Sequence, residues 1–169
     1  GAIGLMQIKE HIAKEFGMDD IYEPENNIKA GVLYIKRLMK MYRRMGVDST
    51  NVVPITLAAY NCGEGRMEDC MNVARTEGKD PLVWENIKEI IPLMSGKEFS
   101  RREDVKLGAF RGKETILHVE KIFEKFDMEL QAKKEIEVKV AQYLEEKFNI
   151  IKNELQNQSK SRYDSIENL

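Results

Sequence analysis

Ile28, Val32, Ile35, Leu38, Met39, Tyr42 and Met45 recur at intervals of three and four, the repeat of one face of an α-helix. Gly46 closes the run. Gly31 lies inside it at a cost of about 1 kcal/mol relative to alanine, so a close helix crossing is expected there. The same period returns along the chain. Ile8, Ile12, Ala13 and Phe16 share a face that Gly17 ends, and Met67, Cys70, Met71 and Ala74 mark a shorter helix ending near Gly78. Asp80-Pro81 reads as a cap and first-turn proline opening a helix with Trp84, Ile87 and Ile91 inward, stopped or kinked by Pro92. A further helix from Arg111-Gly112 carries Ile116, Val119, Ile122, Phe123 and Phe126, and the aperiodic Lys97–Phe110 stretch reads as a surface loop. No segment alternates convincingly with period two. The expected class is therefore all-α, with at most a small hairpin at the start.

Ala58–Gly65 is the stretch around which the rest is arranged. A helix begins near Asn51, after the cap candidates Ser49 and Thr50, and tolerates Pro54 in its first turn. Ala58 and Ala59 let another backbone or a ligand approach closely. Tyr60 and Asn61 then offer a ring, a hydroxyl and an amide, and Gly63 and Gly65 can take positive φ to stop the helix and turn the chain. At the start, Gly1 and Gly4 frame an irregular loop that brings backbone close to something, and Gln7 can bond a ligand or cap the next helix.

The charge balance removes several function classes. Lysine plus arginine number 27 against 29 aspartates and glutamates, for a net charge of −2. No basic block tracks phosphates, so nucleic acid is not an expected partner. No apolar run approaches the roughly 20 residues of a membrane span. Two histidines far apart and no Cys/His cluster argue against a zinc site, and no metal or cofactor is expected. Cys62 and Cys70 lie across a glycine-rich turn, where the sequence neither demands nor forbids a disulfide.

Beyond Met128 the composition shifts to Lys, Glu, Gln and Asn, while Ile136, Val140, Leu144, Ile151 and Leu155 keep a helical period. The expected organisation is a compact helical domain over 1–128 and a charged amphipathic helical extension over 129–169, its end frayed from Asn157. The narrow stripe implies packing along one seam, on the domain or on a second copy through 131–156.

Three motifs occur in one order: Gly1-Ala-x-Gly-Leu-Met-Gln7; Glu23-Pro-Glu-x-Asn-Ile28 with Ala30-Gly31 and Tyr34; and Ala58-Ala-Tyr-Asn-x-Gly-x-Gly65. Together, over about residues 1–75, they resemble the catalytic domain of soluble-lytic-transglycosylase type in the lysozyme-like superfamily. Trp84-x-x-Ile-Lys-x-x-Ile-Pro-Leu93 and Phe110-Arg-Gly-x-Glu-Thr115 are similar, more loosely, to the membrane-bound lytic transglycosylase F branch. Residues 130–169 match no motif of the family.

The resemblance implies an enzyme of the bacterial envelope, periplasmic and held to the outer membrane through other parts. It would cleave the β-1,4 bond between N-acetylmuramic acid and N-acetylglucosamine in peptidoglycan. One glutamate protonates the leaving oxygen and then acts as base while the muramic 6-hydroxyl closes onto C1, leaving a 1,6-anhydro end. In the family that glutamate precedes the Gly-Ala-x-Gly-Leu-Met-Gln loop, so it is expected upstream of Gly1. Gln7, Tyr60 and Asn61 match the family's substrate-positioning residues, and Leu5 and Met6 would line or underpin the cleft. Ile8-Lys9-Glu10 departs from the family's usual Ile-Met-Pro, placing a cation where an apolar side chain often packs near substrate, and Cys62 replaces a small residue.

Among the carboxylates present, Glu23 and Glu25 flank Pro24 at a helix start, where the helix dipole favours the ionised capping form over an acid. Glu64, between two glycines, is the remaining site-proximal candidate, and a solvated turn residue is its plainer reading. Three alternatives to the enzyme stay open: a glycan-binding or scaffolding module, a lysozyme-like hydrolase, and an interaction protein whose working part is the extension.

Overall fold

In a computed structural model that describes the backbone of residues 1–167 and the side chains of 1–157, helices carry most of the chain. A two-stranded antiparallel hairpin, β1 (Ala2–Ile3) and β2 (Ile8–Lys9), opens it, with Ala2 opposite Lys9 and Ile3 opposite Ile8. Seven helices follow among the described residues: α1 (Glu10–Glu15), α2 (Pro24–Arg44), α3 (Val52–Cys62), α4 (Glu64–Thr76), α5 (Trp84–Leu93), α6 (Lys97–Ser100) and α7 (Gly112–Glu167). The class is all-α with one minimal hairpin. Two units divide the chain, Gly1–Lys121 and a second beginning at Ile122, so they part within α7. The composition change had placed the division at Met128.

The helices start and stop where local chemistry dictates. Glu23 caps α2 by accepting from the Asn26 backbone N–H at 2.8 Å, with Pro24 in the first turn. Neither Ser49 nor Thr50 caps α3: Asn51 stands at the N-cap position without a side-chain cap bond, and the turn before it is closed by Asp48, whose Oδ1 accepts from the Thr50 and Asn51 backbone N–H groups, each at 2.9 Å. Asn51 in turn accepts from the Trp84 backbone N–H at 2.7 Å, tying the start of α3 to the start of α5. Asp80-Pro81 forms a turn, with Asp80 accepting from Leu82 N–H at 2.9 Å, and α5 begins only at Trp84. Ile8 belongs to β2 rather than to the first helix.

The buried face of α2 is not the stripe expected from hydrophobicity. Asn27, Ala30, Gly31, Tyr34, Leu38 and Tyr42 face inward, while Ile28, Val32 and Met45 are 44%, 40% and 43% exposed. Close packing decides this. The opposing helix α3 presents Ala58 and Ala59, both fully buried, and a seam of small residues with two tyrosines brings the helices together more tightly than β-branched residues would. The close approach at Gly31 is real, but its neighbour is the Met6 side chain, 2.7 Å from where a Cβ would stand, and not a crossing helix.

Gly63 takes φ +97 and separates α3 from α4, whereas Gly65 is helical and leaves room for Leu107, whose Cδ1 would lie 2.6 Å from an added Cβ. The Lys97–Phe110 stretch contains α6 and is fastened down rather than loose. Buried Asp69 accepts from the Lys106 and Leu107 backbone N–H groups, both at 2.9 Å, and Arg102 bonds Asp104, Thr76 and Glu77. Ile87, Ile91, Met67, Cys70, Met71, Ala74 and Val119 enter the core as their spacing predicted.

The second unit is described by α7 alone. Ile136, Val140, Leu144, Ile151 and Leu155 are 52–62% exposed. The frayed end expected from Asn157 lies, in its side chains and last two residues, outside the described residues. No helix among the described residues is long and apolar enough to cross a membrane.

Candidate functional site

The loop between β1 and β2 is held from both sides. Gly4 has φ +72, and an added Cβ there would stand 2.3 Å from Asn27 Nδ2. Asn27, buried at the start of α2, fills that space with an amide whose hydrogen-bonding groups are spent on the backbone around it. Nδ2 donates to the carbonyls of Ile3 (2.9 Å) and Ile21 (3.1 Å), and Oδ1 accepts from the Met6 N–H at 2.8 Å. The Met6 carbonyl accepts from the Tyr60 hydroxyl at 2.7 Å. One peptide strand is thereby pinned by α2 through its N–H and by α3 through its C=O.

Gln7 follows with φ +48, a left-handed conformation costly for a residue with a Cβ. Its Nε2 donates to the Gly4 carbonyl at 2.8 Å, and its backbone N–H reaches the same oxygen at 3.2 Å. From this position before β2, Gln7 lines an open cleft of about 530 Å³ with Lys9, His11, Tyr34, Tyr60, Asn61 and Arg66, among others.

An aromatic and charged wall runs along that cleft. The Tyr34 and Tyr60 rings sit 5.3 Å apart at 43°, and the Arg37 guanidinium lies 4.8 Å from the Tyr34 ring centre and 5.4 Å from that of Phe16. Arg37 bonds Glu64 at 2.7 Å through Nη2 and Glu15 through Nη1. Partial burial works against the Arg37 charge, but its bonds to Glu64 and Glu15 outweigh that and hold its pKa above the ordinary value. Burial, aided by the nearby Glu64 carboxylate, pushes the Tyr34 hydroxyl up to about 12, and burial raises Tyr60 too. Both remain neutral hydrogen-bonding groups at physiological pH.

Asn61 ends the wall. The buried Thr115 hydroxyl donates to Asn61 Oδ1 at 2.9 Å, which fixes the amide with its NH₂ free of any acceptor among the described residues. Behind it, Cys62 and Cys70 are free and buried. Burial pushes the Cys62 thiol up to about 12 and raises Cys70 as well, so neither serves as a nucleophile. No group of three or more His, Cys, Asp or Glu residues is placed to hold a metal ion among the described residues.

Residues 1–83, which build this whole wall except Thr115, match the family described as Transglycosylase SLT domain. This part of the chain is a transglycosylase SLT domain. The chain's relatives agree. It is 34% identical over 133 residues to a membrane-bound lytic murein transglycosylase F of Desulfosudis oleivorans, covering 79% of this chain and 29% of the relative. A protein of the same name from Shewanella halifaxensis is 29% identical over 156 residues, covering 87% of this chain and 32% of the relative. Another, from Aeromonas hydrophila, is 32% identical over 122 residues, covering 72% and 24%. The chain thus spans about a quarter to a third of the length of these relatives.

Within the SLT domain, the residues singled out from sequence fall in different places. Gln7, Tyr60 and Asn61 line one cleft. Met6 stands beneath it, its side chain against Gly31 and its peptide clamped, while Leu5 is 73% exposed and does not line the cleft. Glu64, read as a solvated turn residue or a reactive group, is a partner of Arg37. Asn27, Arg37, Glu15, Arg66 and Thr115 carry much of the site yet did not stand out. Asn27 was visible only as one letter of a motif. Thr115 meets Asn61 across 54 positions of chain, and no local pattern records such a contact.

Proposed function

We propose that this SLT domain binds the glycan strand of peptidoglycan in the cleft between the 4–7 loop and the α3–α4 turn, as part of a lytic transglycosylase of the bacterial cell envelope. The observation that carries the reading is the double clamp on Met6. A backbone loop held at both its N–H and its C=O places Gln7 beside the Asn61 amide, which Thr115 fixes, on an aromatic wall, the kind of surface that sugar rings stack on and hydrogen-bond to. Gln7 and the free NH₂ of Asn61 supply donors to hydroxyl and acetamido oxygens. Tyr34 and Tyr60 supply ring faces.

In the reaction proposed, a carboxyl group protonates the oxygen between N-acetylmuramic acid and N-acetylglucosamine, and the same group then takes the proton of the muramic 6-hydroxyl as that oxygen closes onto C1. The product carries a 1,6-anhydro end and no water is consumed. Glu15 and Glu64, the carboxylates lining the cleft, are both bound to Arg37. Neither is free to serve as that acid. The residues here orient sugar and loop, and the proton donor is a carboxyl group other than these two. Mass spectrometry of muropeptides digested by the longer enzyme tests the chemistry: anhydro products support it, and products heavier by one water would establish a hydrolase instead.

The same ion pairs favour a second reading, in which the domain captures glycan without cleaving it. Digestion of purified sacculi by the longer protein separates the two, because a binding module leaves them intact. We also propose that the exposed seam of α7 over 131–156 pairs with a second copy of the chain, since charges of both signs flank its apolar residues and two copies need not repel.

A further inference from the structure

Arg66 is the guanidinium of the cleft with almost nothing to hold. Arg37 has two carboxylates, and Arg102 is bonded to Asp104, Glu77 and Thr76. Arg66 instead makes one long bond, Nη1 to the Cys62 carbonyl at 3.4 Å, and lies 5.6 Å from the Phe110 ring centre. Its Nε is enclosed and has no hydrogen-bond partner, and no carboxylate pairs with it among the described residues. Enclosing part of a guanidinium without an acceptor is unfavourable, and the remaining N–H groups are left to seek one.

The surroundings set the sign of what it accepts. Lys9, Arg37 and Arg66 line the cleft against Glu15 and Glu64, three cations to two carboxylates, and both carboxylates are held by Arg37. Lys9 has no carboxylate partner among the described residues, and His11 stands on the same wall. The lining is left with a surplus of positive charge. N-acetylglucosamine is neutral, so a cleft for sugar rings alone has no use for it. The muramic residues of a glycan strand carry a lactyl acid, either free or extended by a peptide that itself ends in carboxylates.

We propose that Arg66, with Lys9 lining the same cleft, forms a carboxylate subsite that takes the acidic substituent of a muramic residue. This rests on the glycan reading above and deepens it: the domain selects acid-bearing strands over neutral β-1,4 oligosaccharides. With Nε covered, the carboxylate meets Arg66 end-on through its Nη groups, and Phe110 keeps the guanidinium plane in place.

Calorimetric titration of the full chain with four probes tests this: chitotetraose; a GlcNAc–MurNAc disaccharide with a free lactyl acid; the same disaccharide extended by L-Ala-D-Glu; and that dipeptide form with its carboxyls amidated. The wild-type chain should bind an acidic probe at least about tenfold more tightly than the amidated one, as a charge-assisted pair implies. Preference for the free lactyl acid locates the partner on the sugar, and preference for the dipeptide form alone locates it on the stem. In Arg66→Gln the ratio of acidic to amidated affinity should fall toward one, and Arg66→Lys should keep part of it. Equal affinity of the wild-type chain for acidic and amidated probes would overturn the subsite while leaving the glycan reading intact, and that comparison needs no variant to fold. Failure to bind any of the four sugars would overturn both.

Discussion

The Tyr60 hydroxyl donates to the Met6 carbonyl at 2.7 Å, joining residues 54 positions apart. The contact gives Tyr60 two duties. Its ring faces Tyr34 in the cleft, and its oxygen holds the loop that presents Gln7. Tyr60→Phe keeps the ring and releases the loop. In the proposed transglycosylase it should lower kcat by about tenfold or more with KM little changed, because loop placement matters most when the sugar is distorted. Steady-state kinetics on a soluble muropeptide chain decides it: a rise in KM with kcat untouched would assign Tyr60 to capture instead.

Asn27 is the other half of the clamp. Asn27→Ala strands the Met6 N–H and the Ile3 and Ile21 carbonyls, so a loss of about 2–4 kcal/mol is expected. Gly4→Ala should be as damaging, since its φ is +72 and its new Cβ meets Asn27 at 2.3 Å. Thermal melts read both as lower Tm, at about 2–4 °C per kcal/mol for a chain of this size. A melt of Gly4→Ala within a degree of wild type would refute the packing described for the loop.

Thr115 acts through Asn61. Thr115→Val removes the donor that fixes the amide, and turnover of the proposed transglycosylase should fall several-fold while Thr115→Ser restores it. In an Asn61→Ala background, Thr115→Val should add nothing to the loss. Additive losses in the double variant would make Thr115 a core residue with no part in the site.

The thiols make a pH-dependent prediction. The buried Cys62 is raised from 9.0 to about 12 in the folded chain, and Cys70 is raised too. A group whose folded pKa is raised contributes stability that is complete below its unfolded value and is lost as pH climbs through the folded one. Stability should therefore decline between pH 9 and 12, with Tyr34, raised to about 12, contributing to the same fall. Below pH 8 an exchange reagent such as dithionitrobenzoate should label neither cysteine until denaturant is added. Rapid labelling of two thiols in the native chain would contradict their burial.

For α7 the test is association. Leu144→Glu should break the exposed seam, as should removal of 130–169, and either should lower the mass measured by light scattering toward one chain. A wild-type chain that is monomeric at all concentrations would end the pairing proposal.

The sequence by itself determined the helical class, most helix ends and the motif-bearing stretches, because these depend on short-range rules. Ile87, Ile91, Met71 and Ala74 could reach the core from period alone, and Pro24 and Gly63 punctuate whatever surrounds them. Tertiary structure decided which face of α2 turns inward. Local hydrophobicity favoured Ile28 and Val32, but Ala30, Gly31 and Tyr34 are buried because α3 and the Met6 side chain demand close approach there. It also decided what the polar residues do. Asn27, Arg37, Arg66 and Thr115 each look like an ordinary surface residue in a list of letters. The bonds that give Asn27, Arg37 and Thr115 their roles reach partners 21 to 54 positions away, and a hydrogen bond at that range depends on where the fold brings two stretches of chain together, which no local preference encodes.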